Sequence, residues 1–352
     1  MATYRLGSQG EEVSKIQTRL KELGYYRGPI DGDFGGGTAS AVKSFQQAKG
    51  SAIDGIVGPA TWKALFPQEE LPTSSLLQQP AAYRCLALTG SFETNAAPPD
   101  CFAGVSGDFD GQGMSLGVCQ WNIGQGSLQP LFTQMDRDHL DEMKQIFHDD
   151  YPLFSAWLQA EREEQLDWIR QHQDPVKHVL FEPWRGYFKR LGRSEAFQQI
   201  QAQAAQALFN RGVALCKKYA VTSERGAALL FDILVQNGSI GTITEAQILR
   251  DFATVDSGLS PETQEVERMK IIANRRADAA KPEWREDVRA RKLTIAQGEG
   301  VVHGRSYQLE EQFGLGLAPY RESRQSPRVE LRRGIGRTSQ GKRGSRRTKS
   351  RL

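Results

Sequence analysis

Two copies of one short pattern stand 23 residues apart near the start of the chain: IDGDFGGGTASAV at 30–42 and IDGIVGPATWKAL at 53–65. The shared frame is Ile-Asp-Gly, a second Gly three positions on, then Thr, then Ala. Asp-Gly marks a tight turn whose glycine accepts positive φ. Thr38 and Thr61 then stand where helix N-caps are expected, with hydroxyls for the orphan backbone N–H groups. Upstream, Val13, Ile16, Leu20 and Leu23 are spaced as the apolar stripe of a helix that stops at Gly24. A stripe and two turn-helix units predict a three-helix domain over residues 1–66.

The stretches GSQGEEVSKIQTRLKELGYYRGPIDGDFGGGTASAVKSFQQ and DGIVGPATWKAL together resemble the peptidoglycan-binding domain 1 family over nearly its whole length. The resemblance implies a module that holds bacterial cell-wall peptidoglycan. Tyr25, Tyr26 and Arg27 are its candidate ligand contacts, because aromatic faces stack on sugars; capping the helix bundle is their alternative role. Residues 67–80, rich in Pro, Ser and Gln, read as a linker.

From residue 81 to 320 the pattern is mainly helical. Ala82, Leu86, Thr89 and Glu93 share one helix face. Further helices are expected at 137–148, 153–172, 194–219, 223–238, 261–280 and 282–293, with 223–238 apolar enough to be central. Strand signal is confined to the glycine-rich stretch 102–121. The expected fold class is mostly α (α+β): a three-helix module plus a lysozyme-like helical domain with one small β-hairpin beside a helix-terminal glutamate.

Glycoside hydrolysis needs a protonated carboxylic acid for the leaving oxygen and an ionised carboxylate for water or for developing positive charge. Leu88 and Phe92 ahead of Glu93 predict apolar surroundings, which favour the protonated acid. Asp108 and Asp110 lie in a polar glycine turn, which favours the ionised form. The segments SFETN and DGQGMSLGV resemble the catalytic region of bacterial chitosanases, within the lysozyme superfamily. That resemblance implies Glu93 as general acid, Asp110 as base and Ser115 as the hydroxyl that positions water. It also implies a supporting network of Asp232 with Arg276 and Arg291; a purely structural ion pair is the other reading. Asp108 is the rival base, and both aspartates also suit turn formation. CQWNIGQGSLQP departs from the chitosanases and is similar to the Gln-containing active-site strand of lytic transglycosylases. Gln120, Trp121, Asn122, Gln236 and Asn237 are candidate sugar contacts, with core packing the alternative for Trp121 and a helix terminus for the Gln236–Asn237 pair. A helix-end acid facing a base in a separate hairpin, with a hydroxyl nearby, predicts direct attack by water and inversion.

The charge balance divides the chain. Residues 321–352 hold twelve Lys/Arg and two acids, leaving 33 basic and 40 acidic groups in the other 320 residues. A tail of that composition is expected to lack fixed structure and to meet anionic polymers; with no aromatic interleaving it has no specific nucleic-acid reading. No apolar run reaches the ~18 residues of a membrane span, and MATYRLGSQGEE lacks a signal-peptide pattern. Access to the wall is then expected after lysis or by dedicated export, and localisation stays open. The five His and four Cys show no metal-ligand spacing, and no cofactor is expected. Cys101 and Cys119 flank the hairpin, as a bridge or as free thiols. The expected protein is a cell-wall glycoside hydrolase; a chitosanase, a lytic transglycosylase and a non-catalytic wall-binding protein are the alternatives.

Overall fold

The computed structural model describes residues 4–8, 10–70 and 75–321. Residues 71–74 of the expected linker and 322–352 of the expected tail lie outside the described residues.

The first three helices are α1 (Glu11–Glu22), α2 (Gly36–Ala48) and α3 (Pro59–Leu65). Their core is their own, built from Val13, Ile16, Leu20, Phe34, Val42, Phe45, Val57, Trp62 and Leu65. Leu23 falls outside it because α1 ends at Glu22. The repeat has a physical cause that its turns alone do not reveal. Gln17 Nε2 donates to Asp31 Oδ1 (2.8 Å), Asp33 O (2.9 Å) and Thr38 Oγ1 (3.2 Å), while its Oε1 accepts from Gly32 N (3.0 Å). Gln46 repeats the pattern on Asp54 Oδ1 (2.7 Å), Ile56 O (2.9 Å), Thr61 Oγ1 (3.2 Å) and Gly55 N (2.9 Å). One buried amide thus satisfies each Asp-Gly turn. Thr38 and Thr61 are not N-caps: glycines 35 and 58 hold those positions, and each threonine sits inside the first turn facing its glutamine. The hydroxyl that was expected to serve backbone N–H groups instead receives a side-chain amide.

A short α4 (Ser75–Gln78) leads into α5 (Ala81–Thr94). A three-stranded antiparallel sheet follows: β1 (Val105–Ser106), β2 (Ser115–Leu116) and β3 (Trp121–Asn122), with Ser115 between Ser106 and Asn122 in register. Five helices come next: α6 (Gln129–Asp138), α7 (Leu140–Phe147), α8 (Tyr151–Gln159), α9 (Arg162–Gln171) and α10 (Trp184–Arg193). Then come α11 (Glu195–Lys218), α12 (Glu224–Asn237), α13 (Thr242–Asp251), α14 (Pro261–Asp278) and α15 (Arg285–Gln297). The hairpin β4 (Glu299–Val302) and β5 (Arg305–Gln308) and the short α16 (Leu309–Phe313) complete it. Strand is therefore not confined to 102–121. The second hairpin turns at His303 and Gly304, both at positive φ, a two-residue turn without the Asn or Asp that usually announces one.

Two cores meet at Trp121 of the first sheet. One gathers α5, α11, α12, α14, α15 and the second hairpin; the other gathers α6 to α10. The long α11 serves both, with Phe197 and Ile200 in the second and Phe209 in the first. Trp121 is half-buried and packs against both cores. All four cysteines are free thiols, which settles the Cys101–Cys119 alternative. No helix among the described residues is long and apolar enough to cross a membrane.

Residues 5–7 meet the second hairpin directly. Arg305 Nη2 donates to Gly7 O and its Nη1 to Asn95 O, each at 3.2 Å, and Arg5 pairs with Glu311. Gly7 has φ +93, and a Cβ there would stand 2.9 Å from Ser306 O, so only glycine fits that approach.

Candidate active site

Helix α5 is buried along most of its length and opens at its last turn. Asn95 ends it in the left-handed conformation. Glu93 emerges there with a third of its side chain exposed. Its Oε1 accepts from Arg291 Nη1 at 2.6 Å, and its Oε2 has no hydrogen-bond partner among the described residues. The apolar pocket expected around Glu93 is thus partly ionic: Phe92 lies under the Arg291 guanidinium, 5.1 Å away.

Behind Glu93 sits a fully buried charge cluster. Arg291 from α15 places Nε and Nη2 on Asp232 of α12, at 3.1 and 2.7 Å. Thr89 Oγ1 donates to Asp232 Oδ1 at 2.9 Å. Lys292 donates to Asp232 Oδ2 and, at 2.7 Å, to Gln236 Oε1. Burial alone pushes the Asp232 carboxyl up, but Arg291 and Lys292 together outweigh it and hold it well below the usual carboxylate range. Burial brings the Lys292 ammonium down to about 8 against the pull of Asp232. Burial also works against charge on Arg291, yet Asp232 and then Glu93 raise its affinity for the proton overall.

Arg276, expected as the second arginine of this network, does not join it. Its guanidinium makes no ion pair among the described residues and its Nε is buried without a partner. Lys292 occupies the place on Asp232 instead. Sequence reasoning missed Lys292, although a signal was present: Val288, Arg291, Lys292 and Ile295 lie on one buried stripe, so two cations stand where apolar residues belong.

The loop between β1 and β2 separates the two aspartates. Asp108 is buried, accepting from Gly113 N (3.0 Å) and from Arg170 Nε of α9 (3.0 Å), while its backbone N donates to Gln173 Oε1 (2.7 Å). Both its oxygens are engaged in tying the loop down. Asp110 is exposed, with only Oδ1 engaged, by Gln112 N at 3.0 Å. Phe109 between them is 66% exposed, an aromatic face at the loop tip that the sequence reading passed over. Ser115 is half-buried, and its hydroxyl has no partner among the described residues.

The other expected sugar contacts divide. Gln120 is exposed at the β2–β3 turn, its amide donating to Gly117 O at 2.8 Å. Asn122 is buried, and its Oδ1 accepts from Gln125 N at 2.8 Å, so it holds a turn. Cys119 in the same turn lies near Glu93: burial, with that carboxylate adding, pushes its thiol up to about 12. The β2–β3 turn therefore borders the α5 terminus. In the N-terminal module, Tyr25, Tyr26 and Arg27 line a groove of about 580 Å³ with Asp31, Asp33 and Ser40. Tyr26 is its buried wall, donating its hydroxyl to Pro29 O at 2.9 Å; Tyr25 is half-buried, edge-on to Phe45; Arg27 is exposed.

Comparisons with known proteins fall on the two parts unequally. Residues 9–65 match the family described as "Putative peptidoglycan binding domain". The N-acetylmuramoyl-L-alanine amidase CwlM of Mycobacterium tuberculosis is 41% identical over 76 residues, 18% of this chain and 19% of that protein. A spore cortex-lytic enzyme of Oceanobacillus iheyensis is 49% identical over 55 residues, 16% of this chain and 20% of that one. The chain thus spans about a fifth of the length of these relatives. Among solved structures, native chitosanase from Bacillus subtilis MY002 aligns over 68% of this chain and 98% of its own, at 16% identity and a TM-score of 0.39.

Proposed function

We propose that the chain is a peptidoglycan-binding glycoside hydrolase of lysozyme-like type, with residues 1–66 as wall-binding module and 81–320 as catalytic body. The observation that carries the catalytic reading is Glu93: a half-exposed carboxyl at a helix end, one oxygen fixed by a buried guanidinium and the other without a partner. In this reading the free Oε2 carries the proton to the leaving glycosidic oxygen, and Arg291 stabilises the carboxylate left behind. Asp110, exposed and with one oxygen free, takes the proton of an attacking water, and the unpartnered Ser115 hydroxyl holds that water. Asp108 is unsuited to the base role because both its oxygens are already engaged. Attack by water without a covalent intermediate inverts the anomeric centre.

The wall as substrate rests on the module, whose matched relatives are named as a cortex-lytic enzyme and an N-acetylmuramoyl-L-alanine amidase. Binding raises the effective concentration of an insoluble polymer at the cleft. The test is mass spectrometry of the products from purified peptidoglycan and from chitosan, with NMR of the first-formed anomer. Reducing ends of inverted configuration from peptidoglycan support the reading. Anhydro ends mean a lytic transglycosylase, glucosamine oligomers alone a chitosanase, and no product a binding protein. Deleting residues 1–79 is expected to abolish sedimentation with insoluble wall while cleavage of soluble fragments persists.

A further inference from the structure

Helices α5 and α12 run parallel. Arg84 near the start of α5 pairs with Glu224 at the start of α12, and further along both helices Thr89 meets Asp232. Four residues beyond that contact come Glu93 on α5 and Gln236 on α12, each about one helical turn, ~5.4 Å, further on. The two half-exposed side chains therefore emerge at the same end of the same helix pair.

The polarity of the Gln236 amide at that end is set from behind. Lys292 is fully buried, and its ammonium has donors and no acceptor. Those donors go to Asp232 Oδ2, Asp232 O and Gln236 Oε1. A protonated lysine can be met only by the carbonyl oxygen of Gln236, so the amide cannot turn over without losing that bond. Its Nε2, which has no hydrogen-bond partner among the described residues, is left as the outward group. Asn237 Oδ1 also lacks a partner among the described residues, but that atom is buried and out of a ligand's reach. The end of α12 thus offers one unused donor, Gln236 Nε2.

We infer that Gln236, held by Lys292, is a specificity determinant that selects a sugar bearing an acetamido group over one bearing a free amine. An acetamido group supplies a carbonyl to accept from Gln236 Nε2. A glucosamine ammonium offers only donors and positive charge, and here meets an N–H donor with a buried lysine behind it. Sites built on such hydrogen bonds reject the wrong group strongly, because their polar atoms are otherwise left unpaired. The inference rests on the reading of the Glu93 end as the glycan site, and it assigns the acyl state of the sugar beside it.

The test measures binding without turnover, so that it stands apart from whether cleavage occurs. The full-length Glu93→Gln protein is titrated calorimetrically with the N-acetylglucosamine tetramer and with the glucosamine tetramer. The expected result is at least tenfold tighter binding of the acetylated tetramer. Adding Gln236→Glu, which replaces the outward donor by an acceptor, is expected to cut that ratio at least tenfold. Lys292→Met, which frees the amide to rotate, is expected to cut it partly, with Gln236→Leu as the control should Lys292→Met not fold. Equal affinities, no binding of either tetramer, or a ratio that survives Gln236→Glu overturns the inference. If wild-type protein still hydrolyses peptidoglycan in any of those cases, the enzyme reading stands without it.

Discussion

The two ends of the molecule solve the same problem, a polar group inside a fold, with different chemistry. In residues 4–66 two buried neutral amides, Gln17 and Gln46, each close an Asp-Gly turn within 21 residues of chain. The body has buried amides too, such as Gln165 and Gln201, but adds a cluster of charges: Asp232, Arg291 and Lys292, with Glu93 at its open end, join helices separated by up to 198 residues. A neutral amide that satisfies all its neighbours makes a rigid, local and repeatable unit. A buried ion pair costs several kcal/mol of desolvation per ion and is weak evidence for stability. Here one arm of that cluster reaches a half-exposed carboxyl, which points to function where the module's amides point to architecture.

The largest expected effect comes from the exposed end of the cluster. Glu93→Gln is expected to lower kcat on peptidoglycan by roughly 10²–10⁴-fold, since an amide cannot supply the proton, with the melting temperature little changed. Near wild-type turnover would remove Glu93 from the mechanism.

Next in size is the buried end. Asp232→Asn leaves Arg291 and Lys292 without their shared carboxylate, and a broken buried pair costs about 3–5 kcal/mol. Denaturant unfolding checks this, and a loss under 1 kcal/mol would mean that Glu93 alone suffices to balance the cluster. The effect depends on pH in a definite direction. The folded-state affinity of Asp232 for protons is depressed, so its stabilisation is complete above the ordinary value of 3.8 and is lost as pH falls below it. The gap between wild type and Asp232→Asn is therefore expected to be widest near neutrality and to close in acid. A gap that does not change with pH contradicts a charged Asp232.

In the module, Gln17→Leu or Gln46→Leu removes the partner of a buried backbone N–H, at Gly32 or Gly55, costing about 1–3 kcal/mol each. Hydrogen exchange is expected to rise at those amides while the α5 and α12 amides stay protected. Spread of the damage into the body would break the contrast between local and long-range polar networks. The smallest effect is expected from Arg170→Ala. Its pair with Asp108 resembles that of Arg291 with Asp232, but Arg170 is 44% exposed, and such pairs contribute about 0–1 kcal/mol.

The same contrast explains what could be read in advance. The three-helix module was legible because its signals are local: an amphipathic stripe, two Asp-Gly turns and a repeat spacing. Even so, the threonines were assigned to the backbone, since a glutamine one helix away gives no neighbouring sign of its grip. In the body, the α5, α11, α12 and α14 helices were legible from periodicity, as was a small sheet near 102–121. The expected helix at 153–172 is two helices, α8 and α9, broken between Gln159 and Arg162. Asp108 and Asp110 are alike in sequence, each beside a turn glycine. They part because Arg170 of α9, Gln173 just after it and Gly113 N all reach Asp108.

By itself the sequence determined the elements and the residue types available for chemistry, because helix stripes, turn glycines and apolar runs act over a few residues. Only the tertiary structure decided that Lys292, and not Arg276, shares Asp232 with Arg291. It alone decided that Asp110 stays open while Asp108 is engaged, and that Glu93 and Gln236 emerge at one end of a parallel helix pair. Each of these follows from the packing of elements far apart in the chain, and side-chain hydrogen bonds and charge pairs depend on the final separation of their atoms, which local propensity does not encode.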